Sequence, residues 1–512
     1  MKEATSPGLH FERRAAIKGF KHQFWSVKFY PYIIAEDDPV IFAAISYTDI
    51  CIYEATEDEQ SGLRCLLTCE RPSAPDKEYE SSWLNCCTWC FVNEEEPWLA
   101  LAGESGHVTI IDAFSGKVVH TLVGHSNGTV NELVTHPKYP YIIASASIDH
   151  SIRIWDLRRA NTPALSTCVT ICGHSMGHTA GLVTLDWHHT GRYLVSGGYD
   201  HRICIWTLPD YADSSQFWHE ISYEGRKRSR DEVRVIHYPH FVSSAIHGDY
   251  VDTVRFLGDL ILSRAAAENK IVLWSITGFH SANHPPPAIT APKGSEHLET
   301  KNGFRRDPSM RIDDNSQSVD TRYNTPELYR RCLEFDNKDS TSIYWRFGIR
   351  KPSKLFPYVR TLLSAGNHKS SIRHWDVQAL IEGHEGAGFP AKSAGRSKKG
   401  LAESISRMAG KHIAGRSASE FSGGSVSESS SSTEIADNMI GQGRNMKKFV
   451  LHEPEARILP HEQLDESKDM NSFSARAIDW SVCGRWCVAV GELPVALKTP
   501  CGGIILYSVA TK

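Results

Sequence analysis

The stretches GHSNGTVNELVTHPKYPYIIASASIDHSIRIWD (Gly124–Asp156) and GHTAGLVTLDWHHTGRYLVSGGYDHRICIWT (Gly177–Thr207) repeat one pattern. Each begins with Gly-His, continues through two strand-like runs, and ends in a third run that closes on a tryptophan. In both stretches an aspartate lies six residues before that tryptophan. A register kept over two stretches of this length predicts a repeated unit of four short strands.

Each repeat carries a histidine, a serine, an aspartate and a tryptophan at matching positions. These residues are His125, Ser145, Asp149 and Trp155 in the first repeat, and His178, Ser196, Asp200 and Trp206 in the second. Two Ser-His-Asp sets in one chain argue against a unique catalytic triad. The repeats resemble WD repeats, in which such residues form a hydrogen-bonded tetrad that joins the strands of a blade. We expect this structural role, because a buried imidazole needs partners for both nitrogens.

Weaker copies of the unit occur on both sides of this pair. Two precede it, at Trp25–Ala55 and Leu84–Gly116, and three follow it, at His247–Trp274, Ser340–Asp376 and Phe473–Tyr507. Together with the strong pair they make seven units, a number within the range at which propellers close. The sequence therefore predicts an all-β fold, a seven-bladed WD40 β-propeller.

The repeats leave three segments outside the predicted blades. We expect residues 1–22 to be an N-terminal extension and residues 23–512 to form a single propeller. Residues 281–325 are rich in Pro, Asn, Asp and Ser, whereas residues 383–445 are rich in Gly and Ser. Neither of these two segments has enough apolar side chains to offset the entropy of ordering the chain, so both are predicted to be long disordered insertions.

The composition is that of an ordinary globular chain. Its 512 residues include 56 basic and 60 acidic side chains, a formal charge of −4, which argues against bulk attraction to nucleic acid or membrane. No apolar run is long enough to span a bilayer, and the N-terminus lacks the apolar core of a secretory signal. We therefore expect a cytosolic or nuclear protein with no membrane partner.

The 13 cysteines are scattered through apolar runs, which favours buried free thiols over disulfides. The cluster Cys86, Cys87 and Cys90 contains one C-x-x-C spacing and could be a redox dithiol or half of a zinc site. However, no second C-x-x-C or spaced histidine pair accompanies it. We expect buried structural thiols and no metal site.

The sequence favours a binding scaffold over an enzyme. It contains no P-loop, dinucleotide fingerprint, H-E-x-x-H motif or EF-hand loop, so no cofactor is predicted. Two basic clusters leave nuclear import or direct phosphate contact open, and a plainly solvated loop is the alternative for each. The clusters are Arg226, Lys227, Arg228 and Arg230, and Lys392, Arg396, Lys398 and Lys399.

The stretch most characteristic of a particular family is residues Val235–Trp274, VIHYPHFVSSAIHGDYVDTVRFLGDLILSRAAAENKIVLW. Together with the two strong repeats, it closely resembles the embryonic ectoderm development and Extra sex combs family, the propeller subunit of Polycomb repressive complex 2. The resemblance implies a nuclear, non-enzymatic subunit that binds an Enhancer of zeste type SET-domain methyltransferase and other subunits of that complex. It also implies an aromatic cage at the propeller mouth that binds a trimethyl-lysine of the histone H3 tail and stimulates methylation.

Two of the family's cage positions lie in the first two blades. The first falls in the string FWSVKF, where Trp25 takes its place. The second lies shortly before the C-x-W of the second blade, and direct counting puts Asn85 there instead of an aromatic residue. Trp83 would substitute only if the loop is reshaped.

The remaining cage positions lie before the sixth blade, in the string IYWRF. Tyr344 and Trp345 form the family's aromatic pair if one residue is deleted, whereas the ungapped alignment gives Ile343 and Tyr344. An arginine that lines the same mouth in the family matches Arg476. Two alternatives stay open: an assembly scaffold that has lost methyl-lysine reading, and an adaptor of another complex, such as a ubiquitin-ligase substrate receptor.

Overall fold

In the computed structural model, strands follow one another in groups of four, and each group forms one twisted sheet. The structure describes residues 9–58, 61–72, 82–125, 128–161, 166–173, 177–211, 233–287, 290–293, 300–304, 328–382, 456–466, 470, 472–493 and 501–511. Seven sheets result, and the first strands of neighbouring sheets contact each other around a central channel. The predicted seven-bladed β-propeller is confirmed.

The first three blades follow the chain without interruption. Blade one contains β2 Phe24–Phe29, β3 Val40–Ser46, β4 Asp49–Ala55 and β5 Leu63–Glu70, after an N-terminal strand β1 Leu9–Phe20. Blade two contains β6 Leu84–Cys90, β7 Trp98–Gly103, β8 Val108–Asp112 and β9 Val118–Leu122. Blade three contains β10 Val130–Thr135, β11 Ile142–Ser147, β12 Ser151–Asp156 and β13 Cys168–Gly173.

The other four blades have longer connections, and three blades gain a fifth strand at the outer edge. Blade four contains β14 Leu182–Trp187, β15 Tyr193–Gly198, β16 Ile203–Thr207 and β18 Phe241–Ser243. Blade five contains β19 Val251–Leu257, β20 Leu260–Ala265, β21 Lys270–Ile276 and β23 Tyr329–Asp336. Blade six contains β24 Gly348–Arg350, β25 Leu362–Gly366, β26 Ser371–Asp376 and β28 Glu462–Asp465. Blade seven contains β29 Ser474–Trp480, β30 Trp486–Leu493 and β31 Cys501–Thr511. The fifth strands are β17 Arg234–Ile236, β22 Lys301–Asn302 and β27 Ala456–Ile458, added to blades three, four and five.

Two aspartates that end third strands start short helical segments. Asp156 accepts a hydrogen bond from the backbone N–H of Arg158, in the 3-10 turn Leu157–Arg159. Asp376 accepts one from the N–H of Ala379, in the helix α1 Val377–Glu382. A carboxylate at this place satisfies an N–H that the helix itself leaves unpaired.

The core lies between the blades. Seven apolar clusters occur among the described residues, each formed by two adjacent blades. Trp155, Trp206, Trp274 and Trp375, on the third strands of blades three to six, are fully buried against the preceding blade. Strands inside a blade are covered by the neighbouring blades on both faces. Their sequences are therefore nearly continuous apolar runs.

The N-terminal strand completes the last blade. Strand β1 pairs antiparallel with β31, from Leu9 opposite Thr511 to Phe20 opposite Gly502. Residues 9–20, which we expected to belong to an extension before the propeller, thus supply the outer strand of blade seven. The two ends of the chain thereby close the ring.

The predicted insertions differ in how far the structure describes them. In the first, Lys301–Asn302 pair with β18, and the Asn302 side-chain amide donates to the carbonyls of Thr277 and Leu328 at 2.8 and 2.9 Å. Part of this segment is therefore held in blade four, which the composition did not predict. The second insertion, residues 383–445, lies outside the described residues, as do both basic clusters.

Candidate functional site

The inner strands share one irregularity, placed at the same end of the channel. In six blades the first strand carries a bulge at its second or third residue, where the pairing register with its neighbour shifts by one. A bulge re-aims the side chain of its extra residue. The six bulged residues are Trp25, Asn85, Asn131, Val183, Asp252 and Arg476. We call the end of the channel that they border the mouth.

Trp25 and Tyr344 meet at the mouth although blades one and six supply them. Their ring centroids are 5.9 Å apart and their planes are at 81°, so the two rings form a right-angled aromatic corner. Both side chains are partly exposed. Tyr344 has a φ of 62°, a left-handed conformation that is uncommon for a residue with a side chain and is often found at functional sites.

The Tyr344 hydroxyl is held in a polar network. It lies 2.7 Å from the Tyr199 hydroxyl and 3.4 Å from the Asn131 Oδ1, to which it donates. Asn85 Nδ2 donates to the same Asn131 oxygen at 3.4 Å. Burial raises the pKa of the Tyr344 phenol, so the hydroxyl remains a donor at neutral pH.

Arg476 supports the corner from blade seven. Its guanidinium carbon lies 5.5 Å from the Trp25 ring centroid, and its Nη2 donates to Glu492 at 2.7 Å. Its Nη1 donates to the Ser342 hydroxyl and to the Ile343 carbonyl, both at 3.2 Å. Arg476 therefore ties the loop that carries Tyr344 to the blade that lies next to Trp25.

Trp345, next to Tyr344 in sequence, points the other way. It is 3% exposed, and its ring lies near the guanidinium groups of Arg264 and Arg476 and 4.4 Å from the His368 ring. Its carbonyl accepts a hydrogen bond from Thr253 Oγ1 at 2.7 Å. Trp345 is thus buried behind the mouth with no open face, so of the predicted aromatic pair Tyr344 and Trp345 only Tyr344 borders the mouth.

Trp83 does not contact the corner directly, because the Tyr47 ring lies between Trp83 and Trp25. It is 45% exposed, and its ring centroid lies 5.3 Å from that of Tyr47, which in turn lies 5.4 Å from Trp25. Neither Tyr47 nor Tyr199 was predicted from the sequence. Both follow a second strand directly, one after β3 and one after β15, and this shared position was a usable signal.

The channel below the mouth holds a cavity of about 160 Å³ that is lined by charged side chains. Glu132 accepts hydrogen bonds from Arg255 Nη2 at 2.7 Å and from Thr184 Oγ1 at 2.7 Å, and Arg346 Nη1 lies 3.5 Å away. Arg346 also donates to the carbonyls of Val183 and Asp252. Glu132, Arg255 and Arg346 thus pair charges from blades three, five and six, and neutral groups of blade four complete their hydrogen bonds. Among the described residues, no three His, Cys, Asp or Glu side chains converge as a metal site.

The two expected tetrads are present as hydrogen-bonded sets. His125 bonds Asp149 at 2.8 Å and Ser145 at 2.7 Å, and Trp155 Nε1 donates to Ser145 at 2.9 Å. In the next blade His178 bonds Asp200 at 3.0 Å and Ser196 at 2.8 Å, and Trp206 Nε1 donates to Ser196 at 2.9 Å. The serine lies between the imidazole and the indole, inside the blade.

Blade five has a third set that the sequence analysis missed. His247 bonds Glu268 and Ser263, each at 2.7 Å, and Trp274 Nε1 donates to Ser263 at 2.9 Å. Glutamate replaces the aspartate here, and it too lies six residues before the tryptophan. An acidic residue six positions before a tryptophan is the pattern from which this third set could have been predicted.

The thiols of the C-x-x-C cluster are buried and free. Cys86, Cys87 and Cys90 all lie inside blade two, and burial raises the pKa of the Cys87 thiol to about 11. A thiol that stays protonated is a poor nucleophile, as expected for a structural cysteine. In the part of the chain that the structure describes, no helix is both long and apolar enough to span a membrane.

Acid should unfold this propeller, because several carboxylates are held ionised inside it. Burial by itself raises the pKa of Asp149, Asp200, Glu268 and Glu132, but their histidine and arginine partners and hydrogen bonds lower each to about 2. A carboxyl whose pKa is lower in the folded chain stabilises it above the unfolded pKa, near 4, and loses this effect as the pH falls towards 2.

Urea titrations at pH 7, 5 and 3 test this expectation. The free energy of unfolding should fall by at least about 2 kcal/mol between pH 5 and pH 3, since one such carboxylate supplies about that amount. Burial also lowers the pKa of His136 and His240 to about 4, which adds a loss of comparable size between pH 6.5 and 4, because the unfolded chain binds protons there that the folded chain does not. A free energy that stays constant from pH 6 to pH 3 would contradict the assignment.

The fold has counterparts among known proteins. Residues 116–156 and 167–207 match the family model for the WD domain, G-beta repeat. The chain is 34% identical over 364 residues to Polycomb protein EED of Chaetomium thermophilum, covering 70% of this chain and 57% of that protein. It is 29% identical over 256 residues to Polycomb protein esc of Drosophila melanogaster, covering 49% of this chain and 56% of the relative. The matches thus span little more than half the length of these two relatives.

Solved structures agree over the whole chain. A chain of Chaetomium thermophilum Polycomb Repressive Complex 2 bound to GSK126 has a TM-score of 0.67 at 25% identity, with 98% of both chains covered. A chain of ctPRC2 in complex with H3K27me3 and H3K27M has a TM-score of 0.66 at 26% identity, again with 98% of both covered. With the seven blades and the tetrads, these likenesses show that the chain belongs to the EED and Extra sex combs family of WD-repeat propellers.

Proposed function

We propose that this chain is a non-enzymatic, nuclear propeller subunit of a Polycomb repressive complex 2 and that it binds trimethyl-lysine of the histone H3 tail at the mouth. The observation that carries the proposal is the aromatic corner of Trp25 and Tyr344. Membership of the EED and Extra sex combs family supports it, as does the likeness to a chain solved in a complex with H3K27me3.

The corner suits a quaternary ammonium. Such a group has no N–H to donate, but its positive charge is attracted to an aromatic face by about 0.5–2 kcal/mol. Two partly exposed faces at right angles offer this attraction from two sides. Unmethylated lysine gains less, because its ammonium loses hydrogen bonds to water that aromatic rings cannot replace.

The expected catalytic partner is a SET-domain methyltransferase of the Enhancer of zeste type, bound together with other subunits of the complex. The chain would hold that enzyme and raise its activity once a methylated tail is bound. This part of the proposal rests on the relatives, whose solved structures are those of Polycomb repressive complex 2.

Trp25→Ala and Tyr344→Ala should each weaken binding of a trimethylated H3 peptide at least tenfold, because each removes one aromatic face of the corner. Calorimetric titration of the full chain with matched trimethylated and unmethylated peptides measures the loss. Tyr358→Ala is the control, because Tyr358 is 95% exposed and lies on the β24–β25 connection, at the end of the blade opposite the mouth.

The outcome separates the alternatives. Equal binding of both peptides, or no binding of either, would refute methyl-lysine reading. If a SET-domain methyltransferase still co-purifies with the chain, it is a scaffold that does not read the mark. A pull-down without any methyltransferase would instead favour an adaptor of another complex.

A further inference from the structure

Tyr47 lies beside the aromatic corner, in the turn between β3 and β4. Ser46 shapes this turn: its hydroxyl accepts the backbone N–H of Asp49 at 2.9 Å and donates to the Asp49 carboxylate at 3.0 Å. The Tyr47 carbonyl accepts the N–H of Leu84 at 3.0 Å, which fixes it against the start of blade two. Tyr47 is thus anchored next to Asn85, although the two residues belong to different blades.

The Tyr47 ring has a defined orientation. Its centroid lies 5.4 Å from that of Trp25, with the planes at 64°, and Gln23 Nε2 donates to its hydroxyl at 3.0 Å. Gln23 is 6% exposed, so this anchor is itself held in place. Tyr47 is partly exposed and therefore borders the mouth.

Asn85 leaves the blade-two side of the mouth without a ring. It occupies the bulge that corresponds to Trp25 in blade one, but its carboxamide is engaged with Asn131. An aromatic face on this side has to come from a neighbouring element. Tyr47 is the ring in contact with Trp25 that is also tied to the start of blade two.

We infer that Tyr47 forms the third aromatic wall of the methyl-lysine site, beside Trp25 and Tyr344, and that Trp83 covers the outer side of this wall. The inference rests on the proposed function and names a specificity-determining residue for it. The ligand is the trimethylammonium group of a lysine side chain. Tyr47 would act through its ring face, and its hydroxyl would serve only to orient the ring through Gln23.

A cation–π wall distinguishes a charged ligand from a neutral one of the same shape, whereas simple apolar packing does not. A cation–π wall attracts the charged trimethylammonium group, whereas an apolar wall treats it like a neutral tert-butyl group of the same shape. A peptide in which carbon replaces the ammonium nitrogen of trimethyl-lysine therefore separates the two. Tyr47→Leu keeps apolar bulk against Trp25 and Trp83 and removes only the π face, so it also guards against loss of folding.

The experiment is calorimetric titration of the full chain and its variants with three H3 peptides: trimethylated, unmethylated and tert-butyl. Tyr47→Leu should weaken binding of the trimethylated peptide roughly tenfold while changing the tert-butyl peptide less than threefold, and Tyr47→Ala should weaken the trimethylated peptide at least as much. Tyr47→Phe should stay within twofold of the original chain, because it keeps the ring. Adding Asn85→Phe to Tyr47→Ala should recover part of the lost affinity, since it restores a ring on the blade-two side.

The results test the role of Tyr47 separately from the proposed function. If Tyr47→Leu and Tyr47→Ala bind the trimethylated peptide within twofold of the original chain while Trp25→Ala loses tenfold, the role of Tyr47 is refuted and the proposed function stands. Equal losses for the trimethylated and tert-butyl peptides also refute it, because they show packing without cation–π attraction. If the original chain does not prefer the trimethylated peptide, the proposed function fails, and the role of Tyr47 fails with it.

Discussion

Deleting residues 1–20 is expected to destroy the cooperative unfolding of the propeller and to leave a chain that aggregates near room temperature. The deletion removes β1, the outer strand of blade seven, and leaves the edge of β31 unpaired. Five of its side chains pack partly buried against the cores between blades six, seven and one: Leu9, Phe11, Ala15, Ile17 and Phe20. At about 1 kcal/mol for each, their loss alone amounts to roughly 5 kcal/mol.

Polar contacts add to this loss. Arg13 Nη1 donates to Glu466 at 2.6 Å, and the same carboxylate accepts the Tyr507 hydroxyl at 2.6 Å. The Phe11 ring is stacked on that of His374, with centroids 4.1 Å apart, so β1 also reaches blade six. An uncovered strand edge is in addition a template for aggregation.

Thermal unfolding followed by circular dichroism, with light scattering, measures the effect. A synthetic peptide of residues 9–20 added in excess should restore part of the transition, whereas a scrambled peptide of the same composition should not. A truncated chain that melts like the full chain would show that β1 does not close the ring.

Glu132→Ala is expected to lower the free energy of unfolding by about 3–5 kcal/mol, the usual cost of removing one partner from a buried ion pair. The Glu132 side chain is 4% exposed and joins blade three to Arg255 of blade five and to Arg346. It also accepts the backbone N–H of Leu185 in blade four at 3.1 Å. Without the carboxylate, two guanidinium groups stay in the channel with no anion between them.

Urea denaturation at pH 7 provides the measurement, and Glu57→Ala is the matched control. Glu57 also pairs with an arginine, Arg485, but both side chains are 64% exposed, so its loss should cost less than about 1 kcal/mol. Glu132→Gln should fall between the two, because it keeps the shape and loses the charge. A loss below 1 kcal/mol for Glu132→Ala would mean that channel water replaces the carboxylate.

The sequence predicted those parts of the fold that depend on short-range contacts. Each tetrad joins residues within about 30 positions of one another, such as His125 and Trp155, so its spacing survives in the sequence as a repeat. The same logic extends to blade five, where Glu268 in place of aspartate hid the set. The outer strand of blade seven was missed because β1 pairs with a strand nearly the whole chain away, and no local pattern encodes that pairing.

At the mouth, the sequence supplied a list of candidate residues: Trp25, Trp83, Tyr344, Trp345 and Arg476, with no aromatic residue at position 85. The tertiary structure decided which of them meet. Tyr344, in a left-handed conformation, contacts Trp25, whereas Trp345 is buried against Arg264 and His368. Tyr47 comes beside Asn85 only because neighbouring blades are hydrogen-bonded at that point. A repeated position such as that of Tyr47 and Tyr199 marks residues near the mouth, but which of them touch depends on how separate sheets pack around the channel.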